Sequence, residues 1–402
     1  QAEDGIRDVE RSRGLGDVYK RQEIGLPKLD EYLNGIPDGK TILFHIEPGM
    51  EESNIAMHVL LNNIKKGIKG IYIVSETSLK NVERKFAEYG HNIKEYDIIF
   101  VDGYSSLIGA PSDAQYVIEE PHDIRCYEDV LLEIFDKVEK GIVVFDSLSN
   151  LMDMCGERDA LEGIEKINDE IDKGGHNGVY NFIAWPYKES ILYRVRRIFN
   201  AIIEVKSLDT IGRQIMEIKK HDWGDGEGKK VEFKIFKPDG MRIYIPKITV
   251  IGPAKSGKTS FIKALSKEFT SVDRLGTTVG IEHGIVDYKG YRAEIFGIPS
   301  HERFQPLIDK FGSSSMGVFL VIDASAPDTF QQAKKMLSKF QNLPCVIVAN
   351  KKDLPNALSK EEIKNRMGVD APIVEVDSLS KKGVYEAFEM LANKIMECLN
   401  VG

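Results

Sequence analysis

The residues from Gly252 to Thr259 have the types and spacing that could hold a phosphate group. They read Gly-Pro-Ala-Lys-Ser-Gly-Lys-Thr, follow the apolar run 247–251 and precede the apolar stretch 261–265. A glycine-rich turn between a strand and a helix directs successive backbone N–H groups, and the positive end of the helix dipole, at an anion. The pattern predicts a nucleotide-binding loop, with an ordinary turn as the alternative.

Residues of this loop have different expected roles in binding phosphate and metal. Lys258 can reach the β- and γ-phosphates and carry charge during phosphoryl transfer, and the hydroxyl of Thr259 can ligate Mg²⁺. The predicted phosphate contacts are Gly252, Pro253, Ala254, Lys255, Ser256, Gly257, Lys258, Thr259 and Ser260.

A second polar group, Asn350-Lys351-Lys352-Asp353, directly follows a buried apolar run. A carboxylate at Asp353 can accept two hydrogen bonds, from N1–H and the 2-amino group of guanine, whereas adenine offers no such pair of donors. We expect Lys351 to lie over the base. The group predicts a site for GTP or GDP, and a plain polar turn is the alternative.

Composition sets the class of protein and excludes others. The chain has 402 residues, 42% hydrophobic and 29% charged, which is typical of a soluble globular protein with more than one domain. No apolar run approaches the ~18 residues that a membrane span needs. The four cysteines are scattered without a Cys-x-x-Cys pair, which favours a reducing cytoplasm.

The net charge of −9 comes from the part of the chain before Lys247. Nucleic acid binding rewards a basic groove, so this acidic front part argues against a nucleic acid partner. A plain solvated acidic surface also explains the sign of the charge.

The order of elements predicts two α/β domains. Residues 1–22 resemble translated adapter sequence, and we expect a non-native or disordered tail there, the alternative being a real arm. From residue 23, short apolar runs alternate with helical patterns, which predicts a parallel sheet covered by helices. Alternating apolar residues after Ser207 predict a small antiparallel extension, and Pro246 marks the boundary between domains 23–246 and 247–402. The predicted strands of the first domain are 41–46, 70–75, 97–102, 141–146, 181–185, 213–218, 231–236 and 241–245.

The first domain resembles the KaiC-like branch of the RecA-type ATPases, through residues 24–30, 35–39 and 144–149. Where that family has its phosphate loop, this chain has Glu51 in place of the second glycine and Glu52 in place of the essential lysine. At ~4 Å and an effective dielectric near ~20, each like-charge contact opposes phosphate binding by roughly 4 kcal/mol. The resemblance therefore implies a pseudo-ATPase, in which the acidic residues Asp146 and Glu76 are structural relics.

The second domain resembles the small Ras-like GTPases, within them the MglA and Arf-like branches. The fold class implied is α/β, with two P-loop-type three-layer domains: a RecA/KaiC-like domain with a small antiparallel extension, followed by a Ras-like GTPase domain. The resemblance also assigns Ser378 and Leu379 to the loop whose backbone contacts the base.

The resemblance implies two switch segments. Thr278 matches the first switch, where its hydroxyl would ligate Mg²⁺, although a β-branched pair entering a strand is the alternative. The second switch departs from the pattern Asp-x-x-Gly-Gln, because Gly297, Ser300 and His301 stand at its three defining positions. His301 is a candidate catalytic residue that orients the attacking water, or else a surface histidine.

These features predict a slow GTPase that acts as a Mg²⁺-dependent switch and regulates the interactions of the degenerate front domain. The expected partners are a guanine nucleotide and a protein effector or activating protein, and the KaiC-like domain could self-associate. The alternative is a scaffold or adaptor that holds GTP or GDP without hydrolysis. A recombinase is disfavoured by Glu52 and by the acidic front part.

Overall fold

The structure is a computed structural model that describes residues 21–50, 54–209, 212–270, 273–274, 277–278, 280–300, 314–340 and 342–400. The chain divides into two compact units, one ending at Arg242 and one beginning at Ile243. Residues 1–20 of the predicted tail lie outside the described residues, while Gln22 is buried and pairs with Ile36. The domain boundary at Pro246 stays a prediction.

The first unit is built on a sheet that is mostly parallel. In space its strands follow the order β4-β3-β2-β5-β6-β1-β7-β8-β9, and the pairs from β4 to β7 are parallel. The pairs β7–β8 and β8–β9 are antiparallel, as the period-two pattern predicted. The strands are β1 (Thr41–Ile46), β2 (Lys69–Val74), β3 (Ile98–Asp102), β4 (Tyr116–Val117), β5 (Gly141–Phe145), β6 (Asn177–Ile183), β7 (Ala201–Ser207), β8 (Gln214–His221) and β9 (Lys230–Phe236).

Helices cover this sheet because their apolar stripes match its buried strands. All five residues of β5 are buried, as expected for a strand covered on both faces. The helices are α1 (Pro27–Leu33), α2 (Ile55–Ile64), α3 (Leu79–Glu88), α4 (Ile124–Phe135), α5 (Leu148–Cys155), α6 (Glu157–Gly174) and α7 (Glu189–Ile198). The described helices of the chain include none that is both long enough and apolar enough to cross a membrane.

The second unit has a mixed sheet in the order β11-β14-β15-β10-β16-β17-β18. Strands β15, β10, β16, β17 and β18 are parallel, and β11–β14 and β14–β15 are antiparallel. A separate ribbon pairs β12 with β13. The strands are β10 (Gly240–Ile251), β11 (Glu268–Thr270), β12 (Asp273–Arg274), β13 (Thr277–Thr278), β14 (Glu282–Tyr288), β15 (Tyr291–Gly297), β16 (Gly317–Asp323), β17 (Cys345–Asn350) and β18 (Ile373–Glu375).

The predicted break between a strand at 241–245 and another at 247–251 is wrong, because β10 continues through Pro246. Proline has no N–H to donate and is tolerated where a strand ladder is irregular. The pairing of β10 with β15 shifts register between Ile245 and Ile248, which is where Pro246 lies.

Within the described part of this unit, four helices pack on the second sheet: α8 (Lys258–Leu265), α9 (Phe330–Leu337), α10 (Lys360–Met367) and α11 (Val384–Leu399). A capping box starts α10, where the Ser359 side chain accepts from the backbone N–H of Glu362 and the Glu362 carboxylate accepts from Ser359. Helix α11 buries an apolar stripe that includes Val384, Phe388 and Leu391.

His58 lies buried in α2 of the first unit, with its ring edge-on to Tyr89 at 4.5 Å. Within the described residues, its Nε2 has no hydrogen-bond partner. Burial, together with the nearby charges of Lys65, His91 and Arg242, lowers the pKa of His58 to about 3. The folded unit therefore keeps this imidazole neutral.

We predict that His58 makes the first unit acid-labile. The unfolded chain binds a proton at His58 below its ordinary pKa of 6.5, whereas the folded unit does not. The contribution of His58 to the free energy of unfolding is therefore fully present above about pH 6.5. It falls as the pH drops toward 3, with a slope of up to ~1.4 kcal/mol per pH unit. Both tryptophans, Trp185 and Trp223, belong to this unit, so their fluorescence during urea unfolding measures its stability.

His58→Leu should flatten the slope between pH 7 and pH 5, while His122→Leu, at an exposed histidine of the same unit, should leave it unchanged. An unaltered slope in His58→Leu would contradict the assignment.

Candidate nucleotide-binding site

The phosphate loop of the second unit connects β10 to α8, and two of its glycines are required by geometry. Gly252 has φ +154°, and a Cβ atom there would lie 2.0 Å from the carbonyl oxygen of Val321. Gly257 has φ +91°, and its Cβ would lie 2.1 Å from Nδ2 of Asn350. A side chain at either position would displace backbone or a buried amide, so the loop keeps its tight curl only with glycine.

Lys258 is the first residue of α8, and its side chain folds back over the loop. Its Nζ donates hydrogen bonds to the carbonyl oxygens of Gly252 and Pro253, at 2.9 Å each. Burial lowers the pKa of Lys258 to about 8, and the charge of Glu282 opposes that shift. The loop thus presents a largely buried ammonium group beside its backbone N–H groups.

Ser256 and Thr259 contribute two hydroxyl groups to this region. Ser256 is 1% exposed, and its Oγ has no hydrogen-bond partner among the described residues. The Oγ1 of Thr259 donates to Oε1 of Glu282 at 2.5 Å. A buried hydroxyl without a partner is costly in a folded protein. Of the other predicted contacts, Pro253 is buried, Ser260 is partly buried, and Ala254 and Lys255 are exposed.

Asn350 joins the phosphate loop to the loop that follows β18. Its Nδ2 donates to the carbonyl oxygen of Ser256 at 3.0 Å. Its Oδ1 accepts from the backbone N–H of Ser378 at 3.2 Å and from the Ser378 hydroxyl at 2.8 Å. Asn350 is 2% exposed, so these bonds form away from water and fix the two loops relative to each other.

Lys351 has φ +62° and is held by an acidic residue at the end of β16. Its Nζ donates to Oδ2 of Asp323 at 2.5 Å, and the other oxygen of Asp323 accepts from the backbone and hydroxyl of Ser325. Burial raises the pKa of Asp323, but the bonds from Lys351 and Ser325 outweigh it and leave the pKa below its usual value. The stem of Lys351 is thereby fixed beside the predicted base position.

Asp353 and Leu379 lie at the outer side of the same region. Asp353 is exposed, and Leu379 is 85% exposed, which is unusual for a large apolar side chain. The structure brings the phosphate loop, Asn350 and Ser378 together by hydrogen bonds, while Lys351 follows Asn350 in the chain and bonds to Asp323.

The switch residues are only partly described. The backbone of Thr278 lies in β13, and its side chain is outside the described residues, as is all of His301. Gly297 ends β15 and pairs directly with Glu282 of β14. Ser300 is partly buried in the irregular segment that follows.

In the front unit, the carboxylate at the end of a buried strand is held by hydrogen bonds within the protein. Asp146 follows β5, is 4% exposed, and accepts from the backbone N–H groups of Ser75 and Glu76 and from the Ser75 hydroxyl. Burial raises the pKa of Asp146 to about 6, and the charge of Glu76 adds to the increase. Glu51 and Glu52 lie outside the described residues.

Two site residues were missed by sequence reasoning, Glu282 and Asp323. Asp323 had a signal, since it is the polar residue that ends a buried strand, as Asn350 is in β17. The sequence signal for Glu282 was weak: this residue begins β14, whose residues alternate between buried and partly buried positions. The alternation does not tell which face an acidic residue occupies.

The two units match two known protein families. Residues 22–248 match the KaiC family of ATPases, and residues 240–395 match the ADP-ribosylation factor family, Arf. The chain belongs to the KaiC family. Its C-terminal part is an Arf-like GTPase domain, so the predicted order of a KaiC-like domain followed by a small GTPase domain is confirmed.

Individual relatives each resemble one part of this KaiC-family chain. It is 29% identical over 140 residues to a UPF0273 protein of Pyrococcus horikoshii, covering 33% of this chain and 57% of that protein. It is 26% identical over 169 residues to ADP-ribosylation factor-related protein 1 of Rattus norvegicus, covering 37% and 84%. A crystal structure of a KaiC-like protein from Pyrococcus horikoshii is 22% identical, with a TM-score of 0.44, covering 55% of this chain and 97% of that one. The chain thus spans little more than half the length of the first of these relatives.

We predict that Asn350→Ala releases the two loops from each other. The change leaves the buried N–H of Ser378 without its acceptor, a loss of about 1–3 kcal/mol. Hydrogen exchange followed by mass spectrometry should show faster exchange in peptides containing Ser256 and Ser378, with the first unit unchanged. Asn393→Ala, at an exposed asparagine of α11, is the matched control. Equal protection in both variants would show that Asn350 does not hold the loops.

Proposed function

We propose that this KaiC-family chain is a GTP-binding protein that works as a slow GTPase switch. The observation that carries the proposal is the hydrogen-bonded position of Asn350, which ties the phosphate loop to the base loop of the Arf-like domain. A site held in this way can bind the phosphates and the base of one nucleotide together.

Base selection is assigned to Asp353. Its exposed carboxylate has two oxygens available to accept from N1–H and the 2-amino group of guanine. Adenine would leave the carboxylate facing an acceptor, which costs more than a lost contact. We assign the stem of Lys351, whose end is held by Asp323, to cover the base, and the backbone around Ser378 and Leu379 to contact it.

Phosphate binding is assigned to Lys258 and to the backbone of 252–260. The ammonium of Lys258 exchanges its carbonyl partners for phosphate oxygens, and the unpartnered Ser256 hydroxyl lies in the same loop. The oxygen donors of this site suit Mg²⁺, which supplies positive charge to the phosphates when bound. Thr259 and Thr278 are the residues we assign to hold it.

Hydrolysis would be an in-line attack of water on the γ-phosphorus, with Lys258 stabilising negative charge. We assign the orientation of the water to His301. Because no arginine finger can be assigned within the chain, the intrinsic rate is expected to be slow and a protein activator is the proposed partner.

The KaiC-like unit is proposed to be a regulated, catalytically degenerate domain. The bonds of Asp146 to Ser75 and Glu76 support a structural role for this carboxylate. Glu51 and Glu52 would repel a triphosphate. We propose that GTP in the rear domain alters the binding of effectors, or of further copies, by the front domain, and that the protein acts in the cytoplasm.

We predict a strong preference for guanine. The full chain should bind fluorescent GDP far more tightly than fluorescent ADP, because Asp353 accepts only from guanine. Lys258→Ala should abolish GDP binding, since it removes the buried ammonium from the loop. Lys263→Ala, at an exposed lysine of the same helix, should bind as the wild type does. Equal affinity for both nucleotides would overturn the assignment of the site.

Single-turnover phosphate release separates a switch from a scaffold. The wild-type chain should release phosphate from GTP above the spontaneous background, and His301→Ala should lower that rate while leaving GDP affinity unchanged. Release at the background rate, both alone and with cell extract, would instead favour a scaffold that holds its nucleotide without hydrolysis.

A further inference from the structure

A buried glutamate lies beside the phosphate loop at a place where the GTPase pattern has none assigned. Glu282 is the first residue of β14 and is 3% exposed. Its Oε1 accepts the hydrogen bond of the Thr259 hydroxyl at 2.5 Å. Thr259 is the residue of the loop whose hydroxyl is assigned to Mg²⁺, so a carboxylate and a hydroxyl converge at one point.

The same glutamate takes up the space beside Gly297, where the Ras-like pattern has an aspartate. The two residues pair across β14 and β15. A Cβ atom on Gly297 would lie 2.7 Å from Oε2 of Glu282 and 3.2 Å from its Cβ. A side chain at 297 would therefore require the ends of Glu282 and Ile262 to move, and the space beside Gly297 is now taken by a carboxylate from the neighbouring strand.

The charge of Glu282 acts on the phosphate loop. It lies at the loop, because the carboxylate accepts the hydrogen bond of Thr259, the residue next to Lys258. Phosphates placed beside this buried carboxylate would be repelled by its charge. A divalent cation between the carboxylate and the phosphates removes this repulsion, and oxygen ligands are those that Mg²⁺ prefers.

We propose that Glu282 supplies the carboxylate of the Mg²⁺ site in the Arf-like domain, in place of the one missing at Gly297. The proposal rests on the proposed binding of a guanine nucleotide to this domain. Glu282 then acts with Thr259 to hold the cation, and its negative charge makes nucleotide binding depend on the cation.

The test compares GDP affinity with Mg²⁺ and with EDTA in the full-length chain, using fluorescent GDP. In Glu282→Gln the amide oxygen can still accept from Thr259, but the negative charge is gone. In EDTA, GDP should bind more tightly to Glu282→Gln than to the wild type, because the repulsion is removed. Mg²⁺ should raise the GDP affinity of this variant only slightly. The ratio of the two affinities should shrink by about 10- to 100-fold. Glu268→Gln, at an exposed glutamate on β11, should keep the wild-type ratio.

A second variant moves the carboxylate back to the other strand. In Glu282→Ala/Gly297→Asp the new side chain has the space that the Glu282 carboxylate left, with the flexible end of Ile262 to displace and the Cβ atom at 282 still 3.2 Å away. This double variant should recover most of the Mg²⁺ dependence that Glu282→Ala loses. A purely structural role for Glu282 would not be rescued in this way.

The outcomes distinguish the two proposals. A wild-type chain that binds no GDP would overturn the proposed function itself. A wild type that binds GDP with Mg²⁺ dependence, and a Glu282→Gln variant with the same dependence, would overturn only the role of Glu282. If Glu282→Gln does not fold, the wild-type chain can be labelled with ¹³C at the glutamate carboxyls and loaded with Mn²⁺ and GDP. Electron–nuclear double resonance then tests whether a labelled carboxyl contacts the metal. A ¹³C coupling to Mn²⁺ supports the proposal, and the absence of a coupling contradicts it.

Discussion

The functional half of this protein depends on the hydrogen bonds of one buried amide, Asn350. It contacts the backbone of the phosphate loop on one side and Ser378 on the other. These two loops are far apart in sequence and follow different strands, so nothing local fixes their separation. A site for a whole nucleotide needs that separation to be constant, because the phosphates and the base of the ligand are joined covalently. Gly257 is required for the same reason, since a side chain there would occupy the position of the Asn350 amide.

The two units share a type of fold but treat their acidic residues in opposite ways. In the front unit, Asp146 is satisfied by the backbone and hydroxyl of Ser75 and by Glu76 N–H, so its oxygens serve the fold. In the rear unit, Glu282 and Thr259 are hydrogen-bonded to each other next to the partly buried Lys258, and the Ser256 hydroxyl has no partner among the described residues. A buried hydroxyl without a partner in the predicted phosphate loop is a cost to folding that ligand binding can offset. It is in this unit that we propose the nucleotide pocket.

Much of the fold could be predicted, because apolar runs and helix stripes report burial directly. Strand β1 was predicted at its observed limits. Strand β6 was predicted four residues too late, since it begins at Asn177, a buried residue whose amide bonds to Pro37 and Lys40. For the predicted site, residue spacing singled out the glycine-rich loop and Asn350, whereas Glu282 was missed. Its importance comes from pairing with Gly297 across two strands, which no local pattern reveals.

The central claim is that one pocket, in the Arf-like domain, binds one guanine nucleotide. The most direct measurement is the identity and amount of nucleotide carried by the purified full-length chain, released by denaturation and quantified by chromatography and mass spectrometry. The account predicts close to one guanine nucleotide per chain after saturation with a mixture of GTP and ATP, and no retained adenine nucleotide. Retention of ATP or ADP with little or no guanine nucleotide would contradict it.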